Sequence, residues 1–329
     1  MTAIPQLSMA GTDNPAGLRR LAAGMAEAYG ATGFAYVVDH GIPERVVDAL
    51  FDASRRFHAL PHAAKDAVAV NRHHRGYIGP GAATDRASSV EAATRPNLSE
   101  SFIKLSDAPP GRAAWPLDGP NRWPDLPGFR EAVEAFEAAA EPMARRLVAA
   151  MALGLGAEPD RLLRLFEPPT AWLRLLRYPP RPADAPPDRY GSAPHTDFGC
   201  LTLLAQDDAG GLEVRAADGS WIAAPPVEDA LLVNTGDIVP VWSGGRWRST
   251  AHRVVNPPDR DRYSIAYFYD PCPDAVIAPL DGAARIASDP APFRFADHVM
   301  AQLDATYAYR QSRDPRNIPD VDAVRSPKP

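Results

Sequence analysis

The chain has 329 residues, a formal net charge of −6, a pI near 5.8 and 45% hydrophobic residues. That balance argues against nucleic acid or an anionic membrane surface as a partner, and the length allows one large or two small domains around a sizeable core. Two cysteines, Cys200 and Cys272, give no disulfide framework and read as reduced thiols of a cytoplasmic protein. The first eleven residues carry no basic-then-apolar leader pattern, and no apolar run reaches membrane-spanning length. The expected partner is a small molecule, and a monomer is the default state.

The spacing of Leu18, Leu21, Ala22, Met25 and Tyr29 predicts a helix over Asn14–Tyr29, with Pro15 suited to its first turn. Phe34–Val38, aromatic and β-branched, predicts a strand. The stripe Val46, Val47, Leu50, Phe51, Ser54 and Phe57 predicts a helix over Pro43–Leu60. His58 and His62 lie four apart near its end, but Pro61 between them spoils a helical metal pair, so they read as surface histidines. Asn71–Asn97 is irregular and rich in arginine, including Arg86 and Arg95. It reads as a solvated loop in which Arg75, beside Gly76-Tyr77, would meet a substrate. Ser101–Leu105 predicts a short strand, and Pro109–Pro127 a proline-rich connection anchored by Trp115 and Trp123. Gly128–Gly154 keeps one apolar face and predicts the longest helix, which Pro142 should kink or split. Glu158–Phe166 predicts a shorter one.

From Trp172 the period changes to that of strands. They are predicted over Leu173–Tyr178, Leu201–Gln206, Leu212–Arg215, Trp221–Ala223, Leu231–Asn234, Arg253–Val255 and Ser264–Tyr269. Turn signals separate them, among them Thr235-Gly236-Asp237, with Asp237 bonding nearby backbone, and Gly244-Gly245, a hairpin bracketed by Trp242 and Trp247. Short strands at this spacing indicate a mainly β chain with flanking helices around a double-sheet jelly roll, or double-stranded β-helix, of the cupin-like kind. A last helix is predicted over Phe293–Tyr309, followed by a trailing end. The expected organisation is an α/β region, 1–125, packed on a helix-plus-jelly-roll core, 126–329, as one compact unit.

The chemistry centres on His195-Thr196-Asp197. In an extended strand, residues two apart share a face, so an imidazole and a carboxylate can approach one ion from one side. His252, at the head of another strand-like run, supplies a third ligand. Two histidines and a carboxylate on one face of an octahedral ion leave positions open for a cosubstrate and O2, the facial triad of Fe(II) oxygenases. H-x-D alone recurs by chance and equally fits a polar pair at a strand edge. Arg262 and Ser264, ten and twelve residues after His252, shift that balance. On one face of a strand they offer a guanidinium fork and a hydroxyl to the far carboxylate of a 2-oxo diacid. Tyr178 can donate to the same group. Phe198, directly after Asp197, is the aromatic expected to touch substrate.

In this order, H-T-D-F-G-x-L-T-L-L, N-T-G-D, H-R-V-V and R-x-S resemble the Fe(II)/2-oxoglutarate-dependent dioxygenases of the isopenicillin N synthase-like group. Gly33–Ile42, Arg75-Gly76-Tyr77 and Glu100-Ser101-Phe102 match N-terminal landmarks of that group, so the resemblance covers most of the chain. It implies that His195, Asp197 and His252 hold Fe(II), and that Arg262 and Ser264, with Tyr178 nearby, hold 2-oxoglutarate. It also implies that decarboxylation of 2-oxoglutarate with O2 is coupled to hydroxylation, desaturation or cyclisation of a small organic substrate. Leu176 stands where the group has an asparagine. Three alternatives stay open on the residues alone: an iron oxidase that dispenses with 2-oxoglutarate, a zinc hydrolase on the same three ligands, and a cupin-like binding module.

Overall fold

A computed structural model describes residues 4–84, 93–108, 115–280 and 291–310. Arg86, part of the proline-rich connection and the trailing end lie outside the described residues. The helices are α1 (Pro15–Ala31), α2 (Glu44–His58), α3 (His62–Asp66), α4 (Phe129–Leu155), α5 (Pro159–Leu163), α6 (Ile238–Ser243) and α7 (Phe295–Thr306). The strands that build the core are β1 (Gln6–Ser8), β2 (Phe34–Val38), β3 (Gly76–Ile78), β4 (Glu100–Leu105), β5 (Thr170–Tyr178) and β6 (Ser192–His195), then β7 (Leu201–Gln206), β8 (Leu212–Arg215), β9 (Trp221–Ala223), β10 (Leu231–Thr235), β11 (His252–Val254) and β12 (Arg262–Asp270).

One sheet has eight strands in the order β1-β2-β10-β7-β12-β5-β4-β3, and a second has four in the order β6-β11-β8-β9. The β1–β4 strands of the N-terminal stretch are thus spliced into the sheet that carries the later strands. Strand alternation gives the large sheet two different faces. Leu201, Leu203 and Ala205 of β7, Val233 of β10, and Leu173 and Leu175 of β5 bury themselves in the main core, which α1, α2 and α4 cover. The opposite face points into the barrel. There Phe34, Tyr36, Leu232, Leu176 and Ala266 meet Leu212, Val214 and Val254 of the small sheet.

Local signals explain the helices that back the sheet. Asn14 caps α1 by accepting from the Ala16 and Gly17 amides, both at 3.0 Å. The α4 stripe Phe129, Val133, Phe136, Ala140, Met143, Leu147 and Met151 is buried throughout. Pro142 does not split α4, which runs from Phe129 to Leu155 through it. Pro142 and Ala138, whose carbonyl loses its partner, both lie on the exposed face, so the freed carbonyl is open to solvent.

Two further expectations fail for tertiary reasons. His58 is buried at the end of α2, its Nδ1–H donating to Ser54 O at 2.8 Å, and burial pushes its pKa down to about 4. It sits beside a buried ion network in which Glu100 binds Lys65 and Arg177, each at 2.7 Å. The segment between Trp242 and Trp247 is no hairpin: α6 ends at Gly244, whose left-handed backbone (φ 59°) turns the chain toward β11. No helix among the described residues is long and apolar enough to cross a membrane.

Candidate active site

The two sheets meet at three side chains. His195 ends β6 and His252 begins β11, and the two are register partners in the small sheet. Asp197 lies just past β6, in the turn that carries the chain over to β7 in the large sheet. Its shared side with His195 therefore comes from that turn and not from a continuous strand. His195 Nε2 is 3.9 Å and His252 Nε2 is 3.8 Å from Asp197 Oδ1. All three ligand atoms fall within 4.8 Å of one another, a group that can hold a metal ion.

The surroundings settle which atoms face inward. His195 Nδ1–H donates to Ala193 O at 2.8 Å and His252 Nδ1–H to Thr250 O at 3.3 Å, so in each ring the lone pair is on Nε2, the nitrogen nearer Asp197. Asp197 Oδ2 accepts from Thr202 Oγ1 at 2.5 Å and Asn234 Nδ2 at 2.7 Å, while Oδ1 faces the two imidazoles. Burial alone would raise the Asp197 carboxyl. His252, His195 and the two donors outweigh it, and its pKa lies below the ordinary value. Thr202 and Asn234 owe their positions to strand alternation: they lie on the inward faces of β7 and β10.

Asp237 corrects another expectation. Its side chain bonds two distant hydroxyls instead of adjacent backbone: Thr196 Oγ1 at 3.2 Å and Ser249 Oγ at 2.7 Å. Thr196 sits between His195 and Asp197, and Ser249 precedes His252 by three, so one carboxylate ties together both ligand-bearing segments. A neighbouring restraint comes from Asp270, whose Oδ1 accepts from the Cys200 amide at 2.6 Å. A Cβ on Gly199 would lie 1.9 Å from that oxygen, so only glycine fits there. Burial pushes the Asp270 pKa up to about 7. Cys200 is buried against Met151 as packing.

Further along the inward face of β12, Arg262 and Ser264 lie two apart, opposite Tyr178 and Leu176 of β5. Arg262 donates through Nη2 to Gln206 Oε1 at 3.0 Å, and its guanidinium carbon lies 4.7 Å from the centre of the Tyr178 ring. Its Nε and Nη1, and the Ser264 hydroxyl, are buried with no partner among the described residues. Buried donors are normally satisfied. Three orphans side by side fit a carboxylate group in both number and charge.

Beside His195 and Asp197 lies a cavity of about 100 Å³. Phe198 lines it, with Phe268 and Trp172 from the large sheet and Val299 and Leu303 from α7. His298 Nε2–H donates to Phe198 O at 2.9 Å, pinning α7 to the turn that holds Asp197. Arg174 also lines this cavity, whereas Arg75 does not. Arg75 is buried at 1% exposure and spends its donors on scaffold oxygens: Leu117 O at 3.2 Å, Leu105 O at 2.9 Å, Asn121 Oδ1 at 2.8 Å and Ser106 O at 2.9 Å. Its expected contact with substrate is withdrawn. Counting back by twos from Tyr178 would have placed Arg174 on the inward face.

Residues 169–271 match the 2OG-Fe(II) oxygenase superfamily, and residues 4–126 match the family described as non-haem dioxygenase in morphine synthesis N-terminal. The 2-oxoglutarate-Fe(II) type oxidoreductase hxnY of Emericella nidulans is 34% identical over 294 residues, covering 85% of this chain and 81% of that protein. The chain belongs to the 2-oxoglutarate–Fe(II) oxygenase superfamily. The homoarginine-6-hydroxylase 2-ODD-233 of Oryza sativa subsp. japonica is 34% identical to this oxygenase, covering 76% of its chain and 77% of the relative. Among solved structures, a full-length Neurospora crassa protein in complex with alpha-KG superposes with a TM-score of 0.78 at 27% identity, covering 91% of this chain and 96% of that one. JOX2 in complex with 2OG, Fe and JA gives 0.77 at 28% identity, covering 99% and 90%. The oxygenase thus has the double-stranded β-helix core of its neighbours and is an Fe(II)- and 2-oxoglutarate-dependent dioxygenase that consumes O2.

Proposed function

We propose that His195 and His252 through Nε2, and Asp197 through Oδ1, hold the ferrous ion, and that Arg262 and Ser264 hold the far carboxylate of 2-oxoglutarate over the Tyr178 ring. The observation that carries this reading is the set of orphaned donors, Arg262 Nε and Nη1 and Ser264 Oγ, on the strand face that leads to the triad. A buried guanidinium with two open donors is costly unless an anion completes it. The same orphans disfavour the oxidase that dispenses with 2-oxoglutarate. When bound, iron supplies the redox chemistry with O2 that couples decarboxylation of 2-oxoglutarate to oxidation of a substrate C–H bond, with hydroxylation as the outcome.

The chain's own part is positioning. The Ala193 and Thr250 carbonyls fix both imidazole tautomers, Thr202 and Asn234 fix the carboxylate, and Asp237 fixes the separation of the two ligand-bearing segments. Leu176 places an apolar side chain beside Ser264, so the cosubstrate is held mainly from its Arg262 end. Phe198 and the apolar wall of α7 keep water from the substrate cavity and set which C–H bond faces the metal ligands. The stretches on either side of residue 125 act as one unit in this reading, supported by the pairing of β2 with β10 and β4 with β5. The substrate is a small molecule, the oxygenase acts as a monomer, and two free thiols suit the cytoplasm.

The test is metal-dependent binding of 2-oxoglutarate, followed by release of succinate on addition of candidate substrates. His195→Ala should lose both metal binding and turnover. Stoichiometric iron in that variant would reject the ligand assignment.

A further inference from the structure

The inference deepens the proposed function and rests on it in one respect: the cavity beside His195 and Asp197 is taken as the seat of the substrate. We propose that His74 is a substrate-binding residue, that its ring presents Nε2–H to that cavity, and that this donor holds a carbonyl or carboxylate oxygen of the substrate.

The cavity wall is mixed in character. Asp197, Asp270, Asn97 and Arg174 stand in it beside Trp172 and Phe198, so its overall polarity does not select a substrate and a directed contact is needed. His74 supplies one. The residue is 1% exposed and lines the cavity. Its backbone is left-handed (φ 60°), a conformation that a non-glycine residue keeps only where its surroundings hold it. Here the His74 amide donates to Asn71 O at 2.9 Å, and the rings of Tyr307 and Trp172 lie with their centres 4.6 and 5.9 Å from that of the imidazole. The ring therefore has a fixed direction.

Its two nitrogens differ. Nδ1 is hydrogen-bonded to the hydroxyl of Tyr309, in the turn Ala308–Arg310 that follows α7. Burial pushes the Tyr309 phenol well above its ordinary range, so it keeps its proton, and Nδ1 is the one partner of that hydroxyl among the described residues. A phenol O–H is a stronger donor than an imidazole N–H, and an imidazole nitrogen is the stronger acceptor. The hydroxyl thus donates to Nδ1, and the ring proton sits on Nε2. Burial, and then Arg310, Arg174 and Arg75, lower the His74 pKa well below the ordinary value, which keeps the ring neutral with that single proton. Nε2 has no partner among the described residues, and unlike His58 Nε2 it is not sealed off from accessible space. In a side chain so enclosed, the space it opens on is the cavity. A nearly buried N–H is costly without an acceptor, and an sp2 oxygen of the substrate provides one.

The test is proton–nitrogen correlation spectroscopy of the full chain with nitrogen-15-labelled histidine, loaded with 2-oxoglutarate and with diamagnetic Zn(II) in place of iron. The His74 signals are those lost in His74→Asn, a side chain that tolerates the left-handed backbone. The expected pattern is that of the Nε2–H tautomer. Benzamide and benzoate should displace the Nε2 signal, whereas toluene, which has the ring and no acceptor, should leave it in place. By calorimetry, His74→Asn should weaken benzamide and benzoate by about fivefold or more, and toluene by less than about twofold. A response to benzamide alone assigns the contact to a neutral carbonyl, and a response to benzoate alone to a carboxylate. The proposal is overturned if His74 carries its proton on Nδ1, if the acceptors bind without moving Nε2, if neither binds at millimolar concentration, or if His74→Asn weakens toluene as much as the acceptors. Should His74→Asn not fold, Tyr309→Phe identifies the His74 signals through Nδ1, and the tautomer and probe response of the unaltered protein decide. A failure of the unaltered protein to bind 2-oxoglutarate would count against the proposed function alone, and the same spectra without it would then decide the role of His74.

Discussion

Arg75 and Arg262 are both 1% exposed, yet they do opposite things. The Arg75 guanidinium is surrounded by main-chain carbonyls from Leu105, Ser106 and Leu117 and by the Asn121 side chain, and it stitches a loop to the edge of the large sheet. The Arg262 guanidinium has a single hydrogen-bond partner, Gln206, and keeps two donors open inside the barrel. Burial alone therefore does not tell a structural cation from one that waits for a ligand. The count of satisfied donors does.

Substitutions can break or sharpen that contrast. Arg75→Ala strands several buried carbonyls at once and should lower unfolding stability by about 3–5 kcal/mol. A denaturant titration measures this, and 2-oxoglutarate affinity of the folded fraction should not change. His58, on the same scaffold side, should make stability depend on pH. Its folded pKa of about 4 lies below the ordinary 6.5, so the unfolded chain binds more protons between those values. Stability should then fall as pH drops from 6.5 toward 4, by about 3 kcal/mol in all. His58→Phe should flatten the slope of melting temperature in that window, and an unchanged slope would show that other groups set it.

On the site side the readout reverses. Arg262→Ala should leave stability nearly unchanged, because it removes a charge that is incompletely paired without ligand. It should weaken 2-oxoglutarate binding by about 2–3 kcal/mol, roughly a hundredfold, by calorimetry. Equal loss of stability in Arg75→Ala and Arg262→Ala would collapse the distinction. The smallest effect expected is at Asp237, whose side chain bonds Thr196 and Ser249 and not His195, Asp197 or His252. Asp237→Ala should loosen the two ligand-bearing segments and weaken Co(II) binding by about ten- to a hundredfold. Asp237→Asn, which can still accept a hydroxyl, should recover part of it.

The same contrast shows how far local order reaches. His195, Asp197, His252, Arg262 and Ser264 stand out as candidates because each lies within a few residues of a strand-like run; a period of two fixes the faces of Arg262 and Ser264, whereas the turn after β6 sets that of Asp197. That Phe198 lines the cavity beside His195 and Asp197 follows from its place next to Asp197. Asp237 was misread because its partners, Thr196 and Ser249, are 41 and 12 residues away. Arg75 was misread for the same reason: its acceptors lie 30 to 46 residues further on. Arg174 was passed over because an arginine in an alternating strand looks the same whether its face is wet or enclosed.

By itself, then, the amino-acid order determined most of the strands and their faces, though not β1, β3 or β6, together with the three metal-capable side chains and the arginine–serine pair, since these follow from short-range periodicity and residue chemistry. Only the tertiary structure decided which buried charges are already satisfied, which histidine loses its water, and which arginine shares a cavity with His195 and Asp197. Hydrogen-bond satisfaction and desolvation depend on groups brought together from distant parts of the chain, and no local pattern encodes their distance.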